Sequence, residues 1–154
     1  MWIRKFEFAD ADGCADLFYR AVHEGAAAKY SADQRCAWVP VRPDAAQFAA
    51  KLGAQRCFVA DDGAIQGFMS LTDEGYLDMA YVHPTQRGTG LAGQLYAAVL
   101  NQAHNLRLRR LTTHASLLAR PFFARHGWEV DAPEEIERNG VLIPRFRMFL
   151  SLSD

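Results

Sequence analysis

Long apolar runs are missing from this sequence. None approaches the roughly 18 residues that a membrane-crossing helix needs, so no membrane partner is expected. Cysteine is scarce: Cys14, Cys36 and Cys57 are odd in number and far apart. That excludes a disulfide framework and a zinc site of close pairs, and leaves free thiols, buried or half-buried. The histidines at 23, 83, 104, 114 and 126 form no HExxH or other close pair, so no metal is expected. The first eight residues alternate apolar and polar without a signal-peptide core, which predicts a cytoplasmic protein. Linkers, repeats and low-complexity tracts are absent too. With 50% hydrophobic and 23% charged residues over 154 positions, the chain reads as one soluble domain spanning 1–154.

Acidic residues are lacking where it matters most. From Met79 to Trp128 there is no Asp or Glu, while six arginines fall at 87, 107, 109, 110, 120 and 125. That segment carries +6 and the rest of the chain −7, inside a net charge of −1. A basic half beside an acidic half suits a polyanionic ligand on one side and a cationic one on the other. The basic stretch is short and the pI is about 6.5, which argues against a nucleic-acid reader.

What is present reads as strands and helices in a definite order. Ile3 to Phe8 predicts a strand, and Asp10 or Asp12 caps a helix to about Glu24. Ser31 and Asp33 start a second helix through Ala37; Pro43-Asp44 opens a third, ended by Gly53. Strands follow at Arg56–Ala60, Ile65–Leu71 and Tyr76–Val82, joined by turns at Asp61-Asp62-Gly63 and Thr72–Gly75. A long helix runs to about Asn105, then come a strand at Arg110–Ala115 and a helix at Leu117–His126. Trp128–Glu137 and Val141–Leu150 flank Asn139-Gly140, a strong hairpin signal. The order predicts an α+β fold with a mostly antiparallel sheet of six or seven strands and four or five helices.

Gly88-Thr89-Gly90-Leu91-Ala92-Gly93 is literally a G-x-G-x-x-G. A dinucleotide fold would need a βαβ unit and an acid about 20 residues on, and the acid-free stretch covers that window. A P-loop fails because no Lys-Ser or Lys-Thr follows. The remaining reading is a strand running through Pro84 into a glycine turn and a helix start. There, backbone N–H groups approach a pyrophosphate without Cβ clashes, the helix dipole assists, and Arg87 adds charge.

Tyr81-Val82-His83-Pro84-Thr85-Gln86-Arg87-Gly88-Thr89-Gly90-Leu91-Ala92 resembles the acetyl-CoA motif of the GNAT superfamily of N-acetyltransferases. Arg87, Gly90 and Ala92 fill the places of its Gln/Arg-x-x-Gly-x-Gly/Ala loop. Ser116 to Trp128 is similar to the second block of that family. The resemblance covers nearly the whole chain. It implies a twisted mixed sheet splayed between two central strands, with the cofactor's pantetheine arm in the gap. It further implies that the Tyr81 and Val82 backbone holds that arm and that Arg87, Gly88, Thr89, Gly90, Leu91 and Ala92 bind the pyrophosphate. Ser116, Ala119, Phe122 and Phe123 would complete the site. Two positions depart from the pattern: Ser116 stands in place of a common Asn, and Phe123 in place of the Tyr that protonates the leaving thiolate. Phenylalanine has no proton to donate.

Acetyl transfer needs a neutral amine and a polarised thioester. Strict alternation on Tyr76–Val82 puts Tyr76, Asp78 and Ala80 on one face, which the resemblance turns toward the acceptor. Asp78, unusual in a central strand, is the first candidate base, with Glu74 and His23 behind it. Tyr30, Trp38 and Tyr76 are candidate acceptor walls, able to hold a cation or ring; His114 lies next to a strand end. The expected reaction moves an acetyl group from acetyl-CoA to a primary amine of a small molecule. Acetylation of a protein N-terminus or lysine, and a non-catalytic acyl-CoA binding module, stay open, as does a homodimer.

Overall fold

The computed structural model describes residues 2–152; Met1, Ser153 and Asp154, the ends of the expected domain, lie outside the described residues. Seven strands form one sheet: β1 (Trp2–Lys5), β2 (Arg56–Asp61), β3 (Ile65–Leu71), β4 (Tyr76–Val82), β5 (Arg110–Ser116), β6 (Glu129–Arg138) and β7 (Val141–Ser151), in the order β1-β2-β3-β4-β5-β7-β6. Among the described residues only β4 and β5 run parallel, and every other pair is antiparallel. Five α-helices accompany them: α1 (Ala11–Arg20), α2 (Ala32–Trp38), α3 (Ala45–Gly53), α4 (Leu91–Asn105) and α5 (Arg120–Arg125).

The helix starts follow from their caps. Ser31 Oγ accepts from the Gln34 N–H while the Gln34 side chain returns to the Ser31 N–H, a reciprocal capping box. Asp44 accepts from the Gln47 N–H in the same manner at α3. Two ends differ from expectation. The first strand stops at Lys5, and α1 passes into a five-residue π-turn, Ala21–Gly25. The last helix is only Arg120–Arg125, with a turn over 117–119. Pro121 has no N–H for the Leu117 carbonyl, and its ring would clash there, so the helix cannot extend further back. At the hairpin tip Asn139 and Gly140 both take positive φ, 51° and 79°, the signature of a type I′ turn.

Two layers of side chains enclose the first half of the sheet. Leu17, Phe48, Leu52, Val59 and Phe68 form a cluster under α1 and α3; Leu71, Leu77, Leu95, Val99, Leu111 and Phe123 form another under α4 and α5. Each such fully buried large side chain contributes roughly 1.5–3 kcal/mol relative to leaving it in water. The second half, β5-β7-β6, is covered on the α5 side, where Leu111, Ala115 and Met148 are buried. Its opposite face is covered near the hairpin tip, where Ile143 packs with Tyr30 and Ala37, and is open around Thr112, His114 and Arg147. Of the thiols, Cys14 and Cys57 are buried but Cys36 is exposed, unlike the buried or half-buried state expected of all three.

The strand alternation of β4 is interrupted. Ser70 pairs with Met79 and Leu71 with Leu77, which makes Asp78 an extra residue, a β-bulge. Leu77 and Ala80 therefore pack with the α4 cluster, while Met79 and Tyr81 pack with the α1–α3 cluster. Ala80 does not share a face with Tyr76 and Asp78, because one inserted residue reverses the phase of everything after it.

Candidate active site

Among the described residues β4 and β5 pair only over two positions, the start of β4 against the middle of β5, with Tyr76 opposite Thr112 and Leu77 opposite Thr113. Beyond that point they diverge. Gly75 sets the apex: at φ 99°, a Cβ there would lie 2.7 Å from the Arg110 carbonyl oxygen, so only glycine admits the approach. The Gly75 carbonyl accepts from the Thr112 N–H at 2.9 Å, and Thr113 Oγ1 donates to the Leu77 carbonyl at 2.7 Å. These bonds clip the strands together where the gap starts.

The ladder decides which backbone groups face that gap. His83 N–H donates to the Gln66 carbonyl of β3 at 2.8 Å. In an antiparallel pair the bonding side alternates by residue, so Tyr81 also spends its amide and carbonyl on β3, opposite Phe68. Ala80 and Val82 point theirs the other way, into the gap. The expectation for Tyr81 is thus corrected: its backbone is consumed by the sheet, and Ala80 supplies the free edge beside Val82. Counting back from Val82 by the two-residue ladder period would have found Ala80 in the sequence.

Around this edge lies a cleft of about 930 Å³, within the size range of cofactor pockets. The π-turn forms one wall, Ser116, Ala119, Phe122 and Phe123 the other, and the Arg87–Gly93 loop its end. No Asp or Glu lines it, whereas Lys29, Arg87 and Arg125 do; the acid-free stretch of the sequence builds most of it, and the π-turn with Lys29, Trp38 and Met69 the rest. Gly88 and Gly90 take φ of 78° and 87°, with nothing within 4 Å of where a Cβ would stand. Gly90 is the left-handed cap of α4, whose next N–H groups, on Ala92 and Gly93, have no acceptor within the helix. Thr89 Oγ1 donates to the Gln86 carbonyl at 2.6 Å and steadies the loop, and Leu91 is buried beneath it. Arg87 donates to the Gly25 carbonyl at 3.0 Å, which ties the loop to the π-turn. Open backbone donors, a helix N-terminus and uncompensated cations fit a pyrophosphate ester with a narrow arm.

The remaining cofactor-side residues have structural duties as well. Ser116 Oγ accepts from the Ala119 N–H at 3.0 Å. Phe123 is 2% exposed, its ring 4.9 Å from Trp128 and 5.4 Å from Phe122. Trp128 in turn donates its indole N–H to Tyr96 Oη at 2.9 Å.

The acceptor candidates separate. Tyr76 and Asp78 lie together on the α1–α3 face, but Asp78 Oδ2 accepts from Gln55 at 2.8 Å and faces the Lys51 ammonium at 3.4 Å. Its Oδ1 accepts no hydrogen bond among the described residues. Tyr76 Oη meets His114 Nδ1 at 2.7 Å. Glu74 is exposed in the turn before β4. His23 donates from Nε2 to the Val39 carbonyl at 2.7 Å and packs near Tyr19; like Glu74, Tyr76, Asp78 and His114, it is not among the residues that line the cleft. Tyr30 is 3% exposed and its hydroxyl is fully used: it donates to the Pro144 carbonyl at 2.7 Å and accepts from the Leu117 N–H at 2.8 Å. Tyr30 therefore clamps β7 to the turn after β5, its hydroxyl proton committed to the Pro144 carbonyl. Trp38, edge-on to Tyr30, does line the cleft.

Beyond His114 stands Glu134, whose Oε1 is 3.6 Å from His114 Nε2 and accepts from Arg145 Nε. Sequence reading had no handle on this pairing, since β6 reaches β5 only through β7. Among the described residues, no group of three or more His, Cys, Asp or Glu is arranged to hold a metal ion, and no helix is long and apolar enough to cross a membrane.

Known proteins bear on this geometry directly. Residues 26–150 match the family model described as an acetyltransferase (GNAT) domain. The uncharacterized N-acetyltransferase YafP of Escherichia coli is 31% identical over 147 residues, which is 95% of this chain and 93% of YafP. A crystal structure of a GCN5-related N-acetyltransferase from Rhodopseudomonas palustris superposes with a TM-score of 0.91 at 31% identity, covering 98% of this chain and 95% of that one. The fold also matches PaiA N-acetyltransferase of Thermoplasma acidophilum, solved with coenzyme A, at a TM-score of 0.79 and 13% identity over 98% of both chains. With the splayed β4–β5 pair, the glycine loop and the acid-free cleft in place, the chain belongs to the GNAT family of acetyl-CoA-dependent N-acetyltransferases.

Proposed function

We propose that this N-acetyltransferase acts on the primary amine of a small molecule in the cytoplasm. The observation that carries the acceptor class is the closure of the acceptor side. Asn139 Nδ2 donates to the Ala37 carbonyl at 3.2 Å and Gln34 Nε2 to the Leu142 carbonyl at 3.2 Å, so the β6–β7 hairpin is bonded onto α2. Where a polypeptide acceptor needs an open groove, this arrangement leaves a walled entrance. The exposed, unpaired Cys36 suits a reducing compartment.

Acetyl-CoA supplies an acyl group on a good leaving thiolate; the chain supplies placement and charge. The Gly88–Gly93 amides and the α4 N-terminus hold the anionic end, and the Ala80 and Val82 edge groups hold the arm as an added strand would be held. The Ala80 or Val82 N–H is the donor available to polarise the thioester carbonyl. Asp78 Oδ1 offers the approaching ammonium a carboxylate oxygen while Lys51 and Gln55 fix the other one. That arrangement suits attraction and orientation of a cation, since one carboxylate oxygen is fixed by its partners and the other has no donor among the described residues.

Acetyl-CoA and CoA should each raise the melting temperature in proportion to their saturation, and NAD should not. Turnover of acetyl-CoA against an alkylamine, an arylethylamine, a polyamine, an amino acid and an aminoglycoside then tests the acceptor class. Acetylated proteins in a co-expressing cell, detected by mass spectrometry with every small amine inert, would overturn the small-molecule reading.

A further inference from the structure

Tyr76, His114 and Glu134 form a line across three strands on the open face of the sheet. Tyr76 begins β4, His114 is the first β5 residue past the last β4–β5 pair, and Glu134 comes from β6. The line therefore starts at the apex of the gap, on the side away from α4. Tyr76 Oη and His114 Nδ1 are 2.7 Å apart, with the rings edge to face at 5.4 Å. On the far side, His114 Nε2 is 3.6 Å from Glu134 Oε1. Glu134 is itself held by Arg145 Nε and approached by Arg147 Nε at 3.7 Å.

We propose that Tyr76, backed by His114 and Glu134, takes the proton from the incoming amine. The inference rests on the acetyl-transfer reading above. A phenol hydrogen-bonded to an imidazole, with a carboxylate within ion-pair reach of the imidazole's other nitrogen, can pass its own proton on as it accepts another.

The charges around the imidazole set its state. Tyr76 faces it from β4, Arg145 and Arg147 from β7 and Glu134 from β6; Asp78 and Arg138 act on the Tyr76 phenol, and Asp131 lies 3.8 Å from Arg147. Burial first, then Arg145, holds the His114 pKa below its ordinary value, against the opposing pull of Glu134. Burial and the nearby Asp78 push the Tyr76 phenol up. At neutral pH the pair is thus a protonated phenol donating to a neutral imidazole, with the phenol's other lone pair free. The ammonium first releases one proton to solvent, so that a neutral amine with a free electron pair reaches the thioester. Its N–H proton then passes to Tyr76 Oη as the phenol proton passes to His114 Nδ1. The amine's electron pair forms the N–C bond, the C–S bond breaks, and that pair leaves on sulfur. The imidazolium, held by Glu134, returns its proton to the thiolate through solvent. Tyr76 is the catalytic group; His114 acts through it as a positioning residue.

The test uses the full chain with acetyl-CoA and the best amine of the panel. Wild-type kcat/KM should fall on the acid side, with a midpoint below the ordinary histidine value of about 6.5. His114→Gln should remove that limb and lower the neutral-pH rate by about 10²-fold, as should Tyr76→Phe. The double variant should be no worse than either single one, since a relay fails as a unit. NMR titration of the His114 imidazole gives a readout independent of turnover. Tyr76→Phe should raise its midpoint, because the donor favouring the neutral ring is gone, and Glu134→Gln should lower it. An intact acid limb in His114→Gln, or a midpoint indifferent to both changes, overturns the relay while leaving acetyl transfer standing. A chain that binds CoA but acetylates no amine overturns the transfer reading first.

Discussion

On the α4 side of the sheet, the strand edge, glycine loop and far wall of the cleft run from Ala80 to His126 within the acid-free stretch, and the edge and loop offer the cleft mainly backbone groups. On the opposite face Lys51, Gln55, Tyr76, Asp78, His114 and Glu134 come from separate places in the chain, and they meet through their side chains. The first region depends on φ and on strand phase. The second depends on long-range register. A backbone site tolerates exchange of most side chains but not of its glycines; a side-chain site tolerates loop changes but not the loss of one partner.

The sharpest way to break that contrast is Gly90→Val. At φ 87° a β-branched residue is strained whatever the space around it. The branch also points where an anion would meet the α4 amides. CoA affinity should fall by at least about 10²-fold in calorimetry, or roughly 2.7 kcal/mol, with the far-UV spectrum retained. Wild-type affinity in a folded Gly90→Val protein would mean that the backbone loop is not the phosphate site.

The contrast also accounts for what the sequence disclosed. The glycine loop and the helix start behind it were legible because their determinants are local: two glycines of positive φ and the opening of α4, within a stretch that lacks acid from Met79 to Trp128. The seven strands were legible from alternation and turns. Ala80 was missed and Tyr81 misassigned because the β3–β4 hydrogen-bond phase is set by pairing with another strand. The common face of Tyr76, Asp78 and Ala80 failed for a related reason, since a bulge opposite Ser70–Leu71 has no local signal. Tyr30 has the composition of a substrate aromatic but lies 114 and 87 residues from the backbone groups that use up its hydroxyl. His114 stood out only as a strand-end histidine; its partners needed the β5-β7-β6 order.

A smaller effect is expected from Asp78→Asn, which keeps the shape and the Gln55 contact but removes the charge. If Oδ1 attracts the ammonium, KM for the amine should rise about tenfold, some 1.4 kcal/mol, with kcat and CoA affinity little changed. Lowering the ionic strength should accentuate the difference from wild type, because the lost term is electrostatic. A fall in kcat with an unchanged KM, shrinking at high pH, would instead return Asp78 to the role of base and weaken the Tyr76–His114 relay.

The smallest effect belongs to Phe123→Tyr, where the two regions meet. The ring lines the cleft yet is 2% exposed and packed between Phe122 and Trp128. A hydroxyl added without a partner costs about 1–3 kcal/mol, whereas a well-placed donor to the leaving sulfur would return a similar amount to the transition state. Acidity weighs against a large gain. A phenol, at about 10, is a weaker acid than a thiol at about 8.5, so the thiolate departs readily without it. The rate should therefore change by less than about tenfold, with the fold and CoA affinity preserved. A loss of CoA binding would show that the ring's edge packs on the cofactor itself. A gain of several orders of magnitude would show that proton supply to sulfur limits turnover, and that the decisive chemistry lies on the α4 side of the sheet.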